Sequence, residues 1–253
     1  MSSSGHLVVS QHLFGLTDPQ LLLDVMLHLG TLVAVLIVFR EDVFGILRGI
    51  ARGFGRSGDA ENALTDGLYR RLFWLVTAAT VPTALIGLLY KDFAESLFGS
   101  PLLVGFAFLT TGGILWLSRL AKRNDKDIDS ISVLTALLIG LSQALAITPG
   151  ISRSGTTISV ALLLGMDRGL AGRFSFLLAI PAIAGGAVLQ LREATALPPE
   201  IWPAVAAGTL VAAVSGYVAL RILMCMVTRG NFSVFAYYCW AVGLATLTFV
   251  AEW

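Results

Sequence analysis

Six stretches of this chain are apolar over roughly the 20 residues that a helix needs to cross the hydrocarbon core of a bilayer: 21–39, 72–90, 102–120, 174–191, 204–227 and 234–250. In lipid, backbone N–H and C=O groups must find partners within their own segment, so stretches of this kind fold as helices. The predicted fold class is therefore an all-α polytopic membrane protein with six transmembrane helices. Composition agrees, because 56% of the 253 residues are hydrophobic and only 13% are charged, too few polar side chains to cover a water-soluble globule. A net charge of +1 argues against nucleic acid as a partner and leaves the lipid bilayer as the expected surroundings. Cys225 and Cys239 lie in apolar segments and read as small hydrophobes, not as a disulfide framework. No basic stretch followed by an apolar run and a small-residue cleavage site precedes the first span, so no cleavable signal peptide is expected.

Two further segments are too short or too broken by Gly, Pro and Ser to span: residues 2–15, and the pair 133–147 and 158–166 around Pro149-Gly150. They read as re-entrant half-helices, tolerated at membrane depth only when buried in protein or lining a wet cavity. The same two segments are related by an internal repeat. At an offset of about 150 residues, Ser2, Ser4, Gly5, Leu13 and Gly15 fall on Ser152, Ser154, Gly155, Leu163 and Gly165. Three spans follow each copy, an odd number, which predicts an inverted-topology repeat: residues 1–131 and 132–253, one integral membrane domain with its ligand site where the units meet. The second copy is preceded by an apolar half-helix carrying Gln143, whereas only Met1 precedes the first. The first copy is therefore expected to be incomplete, lacking the counterpart of Gln143.

Lys and Arg set the orientation, since cytoplasmic loops carry an excess of them. Arg40, Arg48, Arg52, Arg56, Arg70 and Arg71 follow the first span, and Arg119, Lys122, Arg123 and Lys126 the third; Arg168, Arg173, Arg221 and Arg229 fall on the same side. Lys91 and Arg192 are left opposite. The expected topology has basic loops in the cytoplasm and both termini outside. Between the first two spans, Val43, Phe44, Ile46, Leu47, Ile50 and Phe54 recur at helical spacing among arginines, predicting an interfacial amphipathic helix. Gly112-Gly113 and Gly185-Gly186 read as close-packing positions. A homodimer is compatible with the sequence, which does not fix the oligomeric state.

The densest polar cluster inside apolar sequence is Thr148-Pro149-Gly150-Ile151-Ser152-Arg153-Ser154-Gly155-Thr156-Thr157. Pro149 stops one half-helix and the hydroxyls with Gly155 open the next, whose free N–H groups and positive dipole end favour an anion. Arg153 adds a planar fork of donors suited to phosphate oxygens, and an arginine at membrane depth is by default functional. The bland alternative is a capped helix whose Arg153 snorkels to the surface. The N-terminal cluster offers Ser2, Ser3 and Ser4 as phosphate donors or nucleophile, Gly5 for close backbone approach and His6 as general acid or base. A frayed serine-rich tail is its alternative reading. Asp24 and His28 lie one turn apart in the first span and fit a metal ligand pair, a proton relay or plain structural pairing. No zinc-type His and Cys pattern occurs, nor a Walker loop, so an ATP-driven pump is disfavoured.

The stretches "SSSGHL", "DVMLHLGTLVAVLIVFRED", "LSQALAITPGISRSGTTI" and "FSFLLAIPAIAGG" resemble the undecaprenyl-diphosphate phosphatase family, the bacterial bacitracin-resistance phosphatases, over essentially the whole chain. The resemblance implies hydrolysis of undecaprenyl diphosphate to undecaprenyl phosphate and phosphate, recycling the lipid carrier for peptidoglycan synthesis in the bacterial plasma membrane. It also implies a divalent cation, Mg or Ca, a polyprenyl diphosphate lipid substrate and an active site opening to the outer face. Carried over by motif position, Ser3 is implied as nucleophile or essential hydroxyl, His6 as acid-base group and Arg153 as diphosphate clamp. Ser152, Ser154, Gly155 and Thr157 are implied as the phosphate cradle, with Gln143 a further phosphate-binding candidate. The family carries a pair of carboxylates one helical turn apart just upstream of SSxGH, and Gln143 corresponds by the repeat to one of them. Their absence here leads to the expectation of a truncated or misassigned start, with much reduced activity. Two other readings fit the same residues: a transporter or flippase of a phosphorylated polyprenyl lipid, and an inactive scaffold.

Overall fold

The computed structural model describes residues 2–15, 21–52, 60–90, 93, 97, 100–121, 124–193 and 199–251. Phe54, Arg56, Lys91, Lys122 and Arg123 lie outside the described residues. Ten helices appear among the described ones: α1 Ser3–Leu13, α2 Leu21–Val38, α3 Arg40–Arg52, α4 Ala60–Leu89, α5 Pro101–Leu117, α6 Val133–Leu145, α7 Arg153–Leu163, α8 Arg168–Glu193, α9 Trp202–Thr228 and α10 Phe235–Ala251. Short 3-10 turns, Ser118–Leu120 and Phe232–Val234, extend the end of α5 and the start of α10. By length and apolarity five helices suffice to cross a membrane, or six if α2 and α3, bent by 76° at their junction, count as one.

The boundaries differ from the sequence expectation in an informative way. Helix α4 begins twelve residues before the apolar run, because 60–71 continues the helix without a proline and Asp66 is held by two arginines. Helix α7 begins at Arg153 and not at Ile158, because Ser152 caps it. The motif "SRSGTT" is thereby the first turns of a helix.

Two compact units form. One holds α1, α4 from Ala78, α5, α6, α7, the start of α8 to Ser175, and α10; the other holds α2, α3, α4 to Thr77, α8 from Phe176, and α9 to Cys225. In the second unit α3 is the expected amphipathic helix: Gly45 and Gly49 lie against Tyr69, while Phe44 and Leu47 are exposed. Arg48 Nε donates to Asp66 at 3.0 Å and Arg52 Nη1 at 3.3 Å, so two of the loop arginines share one buried carboxylate. Gly30 of α2 packs on the backbone of Thr209 in α9, where a Cβ would sit 2.4 Å from a carbonyl oxygen.

In the first unit α5 acts as a ruler. Helix α10 packs against it with Gly105 beside Gly243 and Leu247, Gly112 under Trp240, and Trp116 against Tyr237, an antiparallel order. Trp240 Nε1 donates to the Leu109 carbonyl at 3.2 Å. Gly112 thus makes the expected close contact, whereas Gly113, Gly185 and Gly186 meet no atom of the described residues that a Cβ would approach within 4 Å. That part of the close-packing expectation is corrected: adjacent glycines point 100° apart on a helix, so one contact does not imply the next.

Along the same α5 the two short helices are laid end to end. Val8 of α1 packs on Val104 and Phe108, and the His6 ring meets Phe108 edge-on, with centroids 5.0 Å apart. Next comes Thr111, bonded to Gly150 and Ser152, and then Leu115 beside Gly155. Past the end of α5, Asn124 Nδ2 donates to the Leu162 carbonyl at 2.9 Å. Helices α1 and α7 therefore run in opposite directions from a common starting point, N-terminus to N-terminus. They also match at the offset of 150: each is 11 residues long and serine-capped, and each is followed by a glycine in the left-handed region, Gly15 at φ 68° and Gly165 at φ 88°.

Candidate active site

The site is assembled by the two caps. Ser2 Oγ accepts from the Gly5 N–H at 3.3 Å, and Ser152 Oγ from the Gly155 N–H at 3.0 Å. Each cap satisfies one first-turn donor, and helix geometry leaves the other first-turn N–H groups without intrahelical partners. Ser3, Ser4, Arg153 and Ser154 belong to those turns. Two macrodipoles consequently direct their positive ends at one space, which is an electrostatic setting for an anion.

Two glycines make the meeting physical. A Cβ on Gly5 would lie 2.7 Å from the Gly150 Cα and 2.8 Å from Phe108 Cζ, a distance no side chain tolerates. Gly150 adopts φ 94°, which an L side chain rarely occupies. Thr111 fixes the turn from behind: its hydroxyl donates to the Gly150 carbonyl and accepts from the Ser152 N–H, both at 3.0 Å.

His6 is held at both ring nitrogens. Nδ1 lies 2.6 Å from the Ser2 carbonyl, which can only accept, so Nδ1 carries the proton. In the neutral ring Nε2 then accepts, and it does so from Tyr238 Oη at 2.7 Å. Arg153 is half-buried on the first turn of α7. Among the described residues its guanidinium has no hydrogen bond or ion pair, so five donors on a fixed plane are left for a ligand. The hydroxyls of Ser3, which is exposed, and of Ser154, half-buried, are likewise unengaged among the described residues. Ser4 Oγ shares a hydrogen bond with Ser2 Oγ at 3.2 Å.

Other predicted residues have supporting positions. Thr157 donates to the Arg153 carbonyl at 2.8 Å and so accepts from Ser175, bracing the turn that carries Arg153. Gln143 is 2% exposed. Its Nε2 donates to Thr83 Oγ1 at 3.2 Å, Thr83 donates to the Gly140 carbonyl at 2.8 Å, and Gln143 Oε1 has no partner among the described residues. Asp24 and His28 belong to the other unit, where His28 Nδ1 donates to the Asp24 backbone carbonyl at 2.7 Å. Among the described residues no three His, Cys, Asp or Glu side chains gather as a metal site would need.

Sequence reasoning missed Tyr238, Thr111 and Thr83. A hydroxyl buried in an apolar span is a weak signal for such a role, and it was present for Thr111, which is 0% exposed. Nothing local singles out Tyr238, which stands 232 residues from His6 along the chain.

Comparison with known proteins bears on this arrangement. A family model described as bacitracin resistance protein BacA matches residues 1–245. Relatives named undecaprenyl-diphosphatase are similar across nearly the whole chain. The one from Desulfosudis oleivorans is 45% identical over 251 residues, 98% of this chain and 91% of that protein. The one from Halothermothrix orenii is 42% identical over 246 residues, 96% of this chain and 89% of that protein. A third, from Methanobrevibacter smithii, is 39% identical over 249 residues with the same coverage.

Proposed function

This chain belongs to the BacA family of undecaprenyl-diphosphatases, and from that premise we propose that phosphoryl transfer takes place where α1 and α7 meet. The protein is a multi-pass membrane hydrolase that converts undecaprenyl diphosphate to undecaprenyl phosphate and phosphate, the reaction associated with bacitracin resistance. The observation that carries the proposed location is an Arg153 guanidinium without hydrogen bond or ion pair among the described residues, on the first turn of a helix whose start meets that of α1 at Gly150 and Gly5.

In this reading, Arg153 takes two non-bridging oxygens of the terminal phosphate. N–H groups of the first turns of α1 and α7, with the Ser4 and Ser154 hydroxyls, take the rest. The leaving group is a phosphate monoester, stable as an anion, so charge neutralisation and positioning contribute more than proton donation. His6 Nε2, whose one lone pair accepts from Tyr238 in the resting site, accepts the proton of the attacking group, water or the Ser3 hydroxyl, once that group takes the place of the Tyr238 hydroxyl; until then Tyr238 holds the ring in position. As the bridging P–O bond breaks, polyprenyl phosphate leaves; with water as the attacking group the phosphoryl group departs directly as phosphate, and with Ser3 it forms a phosphoserine that a water then hydrolyses to phosphate.

We read the six apolar elements as the spans and α1 with α6–α7 as re-entrant. The 11-residue length of α1 and α7, their opposed directions and their glycine ends support this. The distribution of Lys and Arg supports basic loops in the cytoplasm, and family membership supports a site open to the outer face. A divalent cation, Mg or Ca, is a separate proposal. The described residues form no cage for it.

Phosphate release from a C55 diphosphate by the purified chain in detergent tests the function. Chelator is expected to reduce the rate, added Mg or Ca to restore it, and a rate indifferent to both removes the cation proposal. Ser3→Ala lowering kcat by about a hundredfold or more fits attack or essential positioning by that hydroxyl; a rate equal to the parent excludes both. Tyr238→Phe removes one hydrogen bond worth roughly 1 kcal/mol, so kcat is expected to fall about fivefold with KM little changed. A change confined to KM contradicts the positioning role.

A further inference from the structure

At the opposite end of the first unit lies a cavity of about 350 Å³ that the reaction does not use. Its walls come from the end of α5, the start of α8 and the turn that leads into α10. Two of them carry arginines, Arg119 and Arg168, and none of the described residues lining it is acidic. Arg119 is laid over the Trp116 ring with its Cζ 4.2 Å from the centroid, which holds the guanidinium plane in one place. Arg168 is packed against Gly230, where even a Cβ would come within 2.3 Å of its Nη1. Among the described residues neither guanidinium has a hydrogen bond or ion pair. The adjacent Asp167 makes no ion pair with them; its carboxylate caps α8, accepting from the Leu170 N–H at 2.9 Å. Asn231 and Ser233 line the same cavity with side chains unengaged among the described residues.

Two positioned guanidiniums with no ion pair among the described residues, beside an amide and a hydroxyl, form a donor set for one tetrahedral oxyanion. The cavity is separate from the candidate active site: Arg153 and Leu162 stand at opposite ends of α7, about 14 Å apart at 1.5 Å per residue. We propose that this cavity is a second phosphate-group site, taking either the headgroup of an anionic phospholipid or free orthophosphate. Its lining favours the lipid, because Val234 lines it and is 51% exposed, and Leu117 and Leu120, next in the chain to lining residues, are 50% and 64% exposed, apolar surface for an acyl chain.

The experiment uses the purified chain in the Arg153→Ala background, so that the candidate active site does not contribute phosphate binding. One arm measures retention of phosphatidylglycerol against phosphatidylcholine by native mass spectrometry. The other measures orthophosphate by equilibrium dialysis. Each contact to a charged donor contributes about tenfold. Arg119→Gln is therefore expected to weaken binding about tenfold and the double variant with Arg168→Gln about a hundredfold, in whichever arm binds. Preference for phosphatidylglycerol lost in the variants assigns the lipid; orthophosphate binding lost in the variants, without lipid preference, assigns the free anion. Binding in neither arm, or binding indifferent to both arginines, overturns the proposal. Arg168 is packed against backbone, so should its variant fail to fold, Arg119→Gln decides alone. In the otherwise unaltered chain, Arg119→Gln is expected to keep full phosphate release, which shows that its fold is intact.

Discussion

Arg153→Ala is expected to lower kcat/KM for phosphate release from a C55 diphosphate by about a thousandfold or more, roughly 4 kcal/mol of transition-state stabilisation. The size follows from what the guanidinium does and does not touch. A side chain with no partner among the described residues contributes little to folding by its own bonds, so the thermal midpoint of the variant is expected to stay close to that of the parent. An arginine at a phosphoryl centre, by contrast, stabilises charge that spreads over the equatorial oxygens as the transition state forms. Arg153→Lys keeps the charge and loses the fork, and an intermediate loss of about tenfold to a hundredfold is expected. Undiminished turnover in Arg153→Ala, with the protein folded, would remove this residue from the reaction.

Gly150→Ala is expected to act in the other way, on stability and activity together. The added methyl group would lie 2.7 Å from Ala107 Cβ and 2.8 Å from the Val104 carbonyl oxygen, both fixed to α5. It would also hold an L residue at φ 94°. Overpacking and backbone strain of this kind cost about 3 kcal/mol or more together. Relief by movement of the turn would disturb the Thr111 bonds and the Gly5 contact, which bring the two N-termini to one place. Thermal unfolding in detergent and phosphate release are both expected to fall. A variant as stable and as active as the parent would show that the Gly5 and Gly150 contact does not form the site.

The contrast between these two residues reflects how much each owes to its neighbours. Arg153 was identifiable in the sequence because a cation amid hydroxyls in apolar surroundings is anomalous without any reference to fold. Gly150 was identifiable only as part of a helix break. Its steric necessity comes from α5, whose Val104 and Ala107 crowd it from a distant part of the chain. Tyr238 was not identifiable at all, since a tyrosine in a span is ordinary until a histidine is found 2.7 Å away. The same holds for the second cavity: Arg119 and Arg168 read as loop charges that set orientation, and only the folding of three chain segments to one end makes them a pair.

What the sequence determined by itself is what depends on near neighbours. Apolar length dictates helices, because lipid supplies no partner for the backbone; serine at positions 2 and 152 dictates where the short helices begin, and glycine at 15 and 165 where they end. Tertiary structure decided everything that depends on which surfaces meet. It placed α1 and α7 nose to nose along α5, left Arg153 without a partner among the described residues, gave His6 its proton on Nδ1 and set Tyr238 against Nε2. In a membrane chain the apolar pattern specifies which segments are helices with little information about their faces, because lipid and protein interior are equally apolar to a leucine. Helix pairing is therefore resolved by small residues, lone hydroxyls and shape, and these acquire meaning only once the packed neighbours are known.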